Sequence, residues 1–355
     1  MRKKLEYFLL IAFSLVLASC SSDDEELIGN WSKGSSFGGR PTRGGASYFV
    51  MNDLAYVGLG YNSQSKKLTD MWVYDAAKDS WDALDSLPLG VRGRSHATAF
   101  AIDGKAYICG GRTFNAEERV EYLNEVWMFD PSKSKGSMWT QMKNFPFLAR
   151  ADAFGGAVSG KGYMGGGQDA DGTFRDFYEY DPNSDTWTKA DDVFGSKRAG
   201  AFCFVMDDKL YVGSGIDNGS YLRDFGYYDP AQGRWIDRRK IWNSTDESFD
   251  DDYKDIPRAF GVAFVLNGKA YITTGGTSST WEYDPLTDWW KQRTSFEASG
   301  GASRIDAVAF TVYNSRQQKI MPYVGTGSAG TTSSTRYDDM WTFDPTAEQD
   351  DRDNS

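Results

Sequence analysis

The chain has 355 residues, with 39 Lys and Arg against 50 Asp and Glu, a formal net charge of −11 at pH 7. That balance excludes nucleic acid as the partner, because phosphate binding needs clustered Lys and Arg. Three cysteines cannot staple a chain of this length, and beyond residue 20 no run is long or apolar enough to span a membrane.

Met1-Arg2-Lys3-Lys4 is a basic start, and Tyr7 to Val16 is apolar except for Ser14, short for a spanning helix. Leu17-Ala18-Ser19-Cys20 then offers small residues at a cleavage position. The pattern resembles a bacterial lipoprotein signal, which implies removal of residues 1–19 and lipidation of Cys20. Ser21-Ser22-Asp23-Asp24-Glu25-Glu26 is a solvated acidic tether. It resembles the sorting signal of lipoproteins on the outer face of the outer membrane. The expectation is a tether over residues 20–27, membrane attachment through Cys20 and a domain facing the cell exterior. A single acyl chain anchors marginally, whereas lipoproteins of this kind carry more than one.

From Arg43 onward one block recurs six times. Arg94-Ser95-His96 leads into the apolar run Ala99–Ile102, and Asp103-Gly104 makes a hairpin turn into Lys105–Cys109. Gly110-Gly111 ends that strand; Val126–Phe129 follows, stopped by Asp130-Pro131, and then comes Trp139. An Arg precedes a Tyr by 13 residues in Arg43/Tyr56, Arg94/Tyr107, Arg150/Tyr163, Arg198/Tyr211 and Arg258/Tyr271, and by 19 in Arg304/Tyr323. Four residues after each Tyr stands Gly60, Gly111, Gly167, Gly215, Gly275 or Gly327. An aromatic-Asp pair ends each third strand, and Trp81, Trp139, Trp187, Trp235 and Trp289 mark the fourth.

A repeat of about 50 residues with these landmarks resembles the Kelch repeat, over Arg43 to Pro345. The resemblance implies an all-β fold, a six-bladed β-propeller. The sixth block lacks its Trp, while Ile28-Gly29-Asn30-Trp31 precedes the first Arg. Trp31 is therefore expected to supply the outer strand of the last blade, giving a propeller over 28–345 and a polar tail over 346–355. Splitting the core between blades suits a chain this long. Trp72, Trp127, Tyr178, Trp281 and Trp341 are read as inter-blade filler, with Gly226 as the exception in blade four. Cys109 and Cys203 lie two blades apart and are read as buried small hydrophobes.

Loops joining strand four to strand one, and strand two to strand three, share one face of a propeller. Here they are long and varied: 61–69, 112–124, 169–175 and 241–257. Binding is expected on that face. Each first strand starts there with Arg43, Arg94, Arg150, Arg198, Arg258 or Arg304. One reading is a ring of guanidinium forks at the channel mouth, holding a carboxylate, sulfate or phosphate, as Kelch proteins often do. The other is structural: Asp70, Glu125, Asp176, Asp224 and Asp339 start the third strands and can pair with these Arg across strand two. Ser279 breaks that pattern, so Arg258 is the expected free one. The residues two after each Arg, among them His96, Asp152 and Asp306, make the mouth asymmetric.

The acidic stretch 242–256 is read as a solvated loop, a lid with aromatic tips, or a Ca²⁺ site; its Asp spacing does not match an EF-hand. His96 is the single His. That excludes a copper site like that of galactose oxidase, whose Kelch-like propeller uses two His ligands. It leaves the common zinc sites unsupported, and no cofactor is expected. Two functions remain: a surface-anchored module that binds a glycan or a protein partner, and a mutarotase or epimerase of an acidic sugar. In the second, which rests on resemblance to Kelch propellers that interconvert sialic acid anomers, Arg258 holds the sugar carboxylate and Asp252 or Asp255 moves the proton.

Overall fold

A computed structural model describes residues 27–37, 41–242, 253, 255–298, 300–350 and 352. Residues 1–26, including Cys20, and 243–252, including Asp252, lie outside the described residues, and with them the lipidation and metal expectations.

Six four-stranded antiparallel sheets form the blades of a propeller. Blade one runs Ser47–Met51, Leu54–Gly58, Met71–Asp75 and Ser80–Ala83 from the axis outward. Blades two to five repeat this from Thr98–Ile102, Phe154–Val158, Phe202–Met206 and Gly261–Leu266. Blade six combines Val308–Asn314, Lys319–Gly325 and Met340–Asp344 with Asn30–Gly34 from the other end of the chain. Trp31 pairs opposite Phe343, the register at which Trp81 faces Tyr74 and Trp187 faces Tyr180. The ring is thus fastened by its two ends, and the exposed edges of an open array are gone.

In most blades the turn between strands one and two has φ above zero at both central residues. Asp103 and Gly104 have φ of 49° and 73°, and Asn267 and Gly268 have 52° and 75°. This geometry matches the twist of the flanking strands and favours Asn, Asp and Gly.

Each blade-to-blade boundary holds one aromatic cluster, so the core is six wedges rather than one centre. Trp31 is fully buried, 4.6 Å from the ring of Phe343 and 4.9 Å from that of Phe296, and its indole donates to Thr294 O. Trp31→Ala is expected to destabilise the fold by about 3–5 kcal/mol, because it empties the wedge at the closure point. Urea unfolding monitored by tryptophan fluorescence checks it; a loss below about 1 kcal/mol would mean the closure is dispensable.

Two expectations need correction or completion. In blade five the core residue is Trp290, opposite Tyr283, whereas Trp289 is 40% exposed. A period-two strand sends adjacent residues to opposite faces, so the first of two Trp in a row was the wrong choice. At Gly226, the Phe194 ring lies 3.0 Å from where a Cβ would stand, so a neighbouring side chain fills the missing aromatic's space. Cys109 and Cys203 are both free thiols.

Candidate functional site

The six Arg that open the blades do not ring the mouth as free forks. All six are buried, none more than 1% exposed. In five blades the guanidinium reaches across strand two to the acid that starts strand three: Arg43 to Asp70, Arg94 to Glu125, Arg150 to Asp176, Arg198 to Asp224 and Arg304 to Asp339. The Arg43 fork is bidentate, at 3.0 and 2.8 Å, and also donates to Leu59 O. The Trp72, Trp127 and Trp341 indoles donate to the same carboxylates, so these rings orient acids as well as fill wedges.

Arg258 has no carboxylate partner among the described residues, as its Ser279 predicted, yet it is not free. It donates to the carbonyls of Asp255, Ile256, Thr274 and Ser279 and to Ser279 Oγ, at 2.8–3.1 Å. Burial pushes its pKa down, to about 10, which leaves it cationic at neutral pH. Asp255 is engaged too: its Oδ1 accepts the Trp281 indole. Arg258 therefore cannot serve as the carboxylate clamp, and without it Asp255 has no clamped sugar beside it to move a proton on.

These Arg instead lock the blade tops. The N–H of each strand-two glycine donates to the carbonyl of the next blade's Arg, from Gly60 to Arg94 round to Gly327 and Arg43. One step inward, the residues two after each Arg form a second closed ring of backbone hydrogen bonds. His96 N donates to Gly45 O, Asp152 to His96, Gly200 to Asp152, Phe260 to Gly200, Asp306 to Phe260 and Gly45 to Asp306. All six have φ between 57° and 61°. For His96, Asp152, Phe260 and Asp306 this is a sparsely populated conformation, held by the ring.

Asp70 and Asp339 are held below the usual Asp value, and Glu125 below the usual Glu value. Burial alone would raise all three; the Arg and indole donors more than reverse it. Depressed carboxylates contribute stability that is full above their unfolded pKa and lost as pH falls through the folded value. The urea midpoint is expected to stay flat from about pH 8 to 5 and to drop steeply below about pH 4. A midpoint that declines evenly across that range would contradict this.

The second ring gathers a charged cluster at the axis. His96 Nε2 lies 3.1 Å from Asp306 Oδ2, and its Nδ1 lies 2.8 Å from Ser95 Oγ. Tyr61 stacks on the His96 ring and donates to Asp306 Oδ2 at 2.9 Å. Gln168 donates to Asp152 Oδ2. The Arg112 guanidinium is 3.2 Å from His96 Nε2 and 3.6 Å from Asp152 Oδ2. Lys67 donates to Ser95 Oγ at 2.9 Å and lies over the rings of Tyr61 and Phe114. Arg336 covers Tyr61 at 4.4 Å.

Lys67 is half-buried, and among the described residues it makes no ion pair. Burial, then the nearby Arg112 and Arg336, lower its pKa to about 8 against the pull of Asp152 and Asp306. Burial opposes the charge on Arg112 as well, but Asp152 and Asp306 outweigh it and raise its pKa. Asp306 sits below the ordinary Asp value although burial works the other way, because His96, Tyr61 and Arg112 face it.

His96, Asp152 and Asp306 were legible as mouth residues, and the structure brings them together. Tyr61, Lys67, Arg112, Gln168 and Arg336 were missed. Tyr61, Arg112 and Gln168 share a register, directly after the strand-two glycine, where each is bridged to the residue following the blade's Arg. Tabulating that position would have found them. Lys67 and Arg336 come from loops of unequal length and had no such signal.

A closed ring of six four-stranded blades whose loop face carries a charged mouth defines a β-propeller with an axial site. The profile of the KLHDC2/KLHL20/DRC7 Kelch-repeats domain matches residues 28–193, a little under half of the chain. The structure titled "Structure of YjhT" superposes with a TM-score of 0.66, covering 84% of this chain and 94% of that one at 18% identity, which shows the shared fold. N-acetylneuraminate epimerase of Escherichia coli O1:K1 / APEC is 31% identical over 144 residues, 39% of this chain and 37% of that protein. The Shigella sonnei (strain Ss046) protein of the same name is 31% identical over 119 residues, 33% of this chain and 30% of its own. The alignments thus span about a third of those relatives.

Proposed function

We propose that the mouth binds a sugar bearing a carboxylate and interconverts its anomers. The observation that carries this is the convergence of Lys67, Arg112 and Arg336 on the Tyr61–His96 stack, in a chain whose net charge is −11. Three cations face two carboxylates, and an unpaired, partly desolvated ammonium among them suits an anion. The partial similarity to proteins named N-acetylneuraminate epimerase supports the acidic-sugar class.

The chemistry needs a base for the anomeric hydroxyl and an acid for the ring oxygen. The base takes the hydroxyl proton, the ring C–O bond breaks and the ring oxygen gains a proton. The open carbonyl form rotates and recloses by the reverse transfers. Lys67 can only donate, so Ser95 Oγ accepts from it and is free to donate to His96 Nδ1, while Nε2 faces both Asp306 Oδ2 and the Arg112 guanidinium. This Lys67–Ser95–His96–Asp306 chain joins an ammonium with pKa about 8 to a carboxylate through hydrogen-bonded groups, a path along which a proton can move.

The test is NMR of freshly dissolved N-acetylneuraminate, following the approach to anomeric equilibrium with and without the purified chain. Acceleration supports the reading. Binding without acceleration would instead favour the plain binding module, and neither would remove the acidic sugar. Lys67 adds a pH signature. Its ammonium is present below about pH 8 and lost above it, so affinity is expected to fall as pH rises through that value. Lys67→Met should flatten the profile; an unchanged profile would take Lys67 out of the site.

The surface-anchored arrangement is a proposal as well. Gly29 N bonds Ala347 O where the other blades place the turn between strands three and four, on the face opposite the mouth. A lipid on Cys20 would therefore present the mouth away from the membrane. Palmitate labelling of the expressed protein, lost in Cys20→Ala, tests this.

A further inference from the structure

Blade five departs from its siblings at a second register. Where Tyr61, Arg112, Gln168, Ile216 and Ser328 follow the strand-two glycine, it has Gly276, at φ 82°. Among the described residues, only the Tyr221 hydroxyl comes within 4.0 Å of a Cβ built there. The missing side chain leaves a cleft of about 470 Å³ between blades four and five, on the loop face. In the ring order this lies across the axis from the Tyr61–His96 cluster.

The cleft wall is aromatic and polar together. Tyr221 is 52% exposed and comes from the short hairpin of Ile216–Asp217 with Ser220–Tyr221. The Arg223 guanidinium stacks 4.2 Å from the Trp242 ring, and among the described residues it has no acidic partner. Asp255 lines the same space; its Oδ1 is taken by the Trp281 indole, and among the described residues its Oδ2 accepts no hydrogen bond. An exposed ring, a planar guanidinium fixed by stacking and a carboxylate oxygen are what a neutral pyranose needs. Its C–H face packs on the ring, and its adjacent hydroxyls bond the fork and the acid.

We infer that this cleft is a carbohydrate subsite for a neutral sugar ring, so that the ligand is an oligosaccharide with the acidic sugar at its reducing end, its anomeric hydroxyl free, rather than the free acid alone. The oligosaccharide part of that statement rests on the acidic-sugar reading of the mouth; the subsite itself does not.

The experiment is calorimetric titration of the full chain with three probes: N-acetylneuraminate, lactose, and a trisaccharide in which lactose is linked through its glucose to a hydroxyl of N-acetylneuraminate other than the anomeric one. The linked trisaccharide is expected to bind about tenfold or more tighter than the free acid. Tyr221→Ala and Arg223→Ala should erase that advantage while leaving affinity for the free acid unchanged. Tyr221→Phe, which keeps the ring, should retain most of it and guards against misfolding as the cause. Equal affinities for trisaccharide and free acid in the native chain, or an advantage that survives both alanine variants, would overturn the subsite. Lactose binding lost in Tyr221→Ala, in a chain that ignores free N-acetylneuraminate, would uphold the subsite and sink the reading of the mouth.

Discussion

Arg258→Ala is expected to cost about 5 kcal/mol or more of folding stability, the largest single-site effect in the molecule. The guanidinium makes five hydrogen bonds to four backbone carbonyls and one hydroxyl, all within the top of blade five. Truncation strands every one of those acceptors at once, and a buried unmade hydrogen bond costs about 1–3 kcal/mol. Arg258→Lys keeps the charge but places three donors on a point rather than five on a plane, so it should recover only part of the loss. Gly215 N bonds Arg258 O, and Ser214 Oγ accepts from Arg258 N, so the residue also joins blade four to blade five. Urea unfolding of both variants, alongside affinity measured on the folded fraction, separates the roles. A stable Arg258→Ala protein with lost ligand binding would return Arg258 to the mouth and contradict its geometry.

That outcome would also contradict what the repeat itself teaches. Register was legible because it is carried by turn chemistry and period-two alternation, which act locally and recur in every blade. The six Arg, the strand-two glycines and the closure by Trp31 all followed from it. Register does not say which way a long side chain turns. An Arg at the lip of a strand can point into the lumen or fold back over its own blade. The acids Asp70, Glu125, Asp176, Asp224 and Asp339 are what draw it back. Where Ser279 replaces the acid, free carbonyls at a strand end do the same work, and a sequence does not display carbonyls. The mouth cluster was hidden for another reason. His96 and Asp306 are 210 residues apart, and Lys67 and Arg336 sit at unrelated positions in loops of different length. Only closing the ring brings them to one axis.

Arg112 is where that axis is most open to test, because it is the cation with both exposure and contact. Its side chain is 28% exposed, while the Asp152 carboxylate beside it is 1% exposed. Arg112→Ala changes the formal count at the mouth from three cations against two carboxylates to two against two. It also takes the Arg112 ion pair from Asp152 and leaves that carboxylate the hydrogen bond from Gln168. An anionic sugar would then meet two carboxylates without the fork that offsets them. The expected loss is about 100-fold in kcat/KM for anomer interconversion, near 2.7 kcal/mol. Most of it should appear in KM, since a fork on the sugar carboxylate holds the closed and open forms alike and so contributes uniform binding. A minor part should appear in kcat, because Arg112 lies against the His96 nitrogen that Asp306 orients. Arg112→Lys restores the charge without the fork and should recover about tenfold. Stability should fall as well, by about 1–3 kcal/mol, because the buried Asp152 carboxylate loses the guanidinium that faces it. Normal turnover in Arg112→Ala, or a loss confined to kcat, would mean the carboxylate is held elsewhere, because a uniform-binding clamp cannot be removed without raising KM.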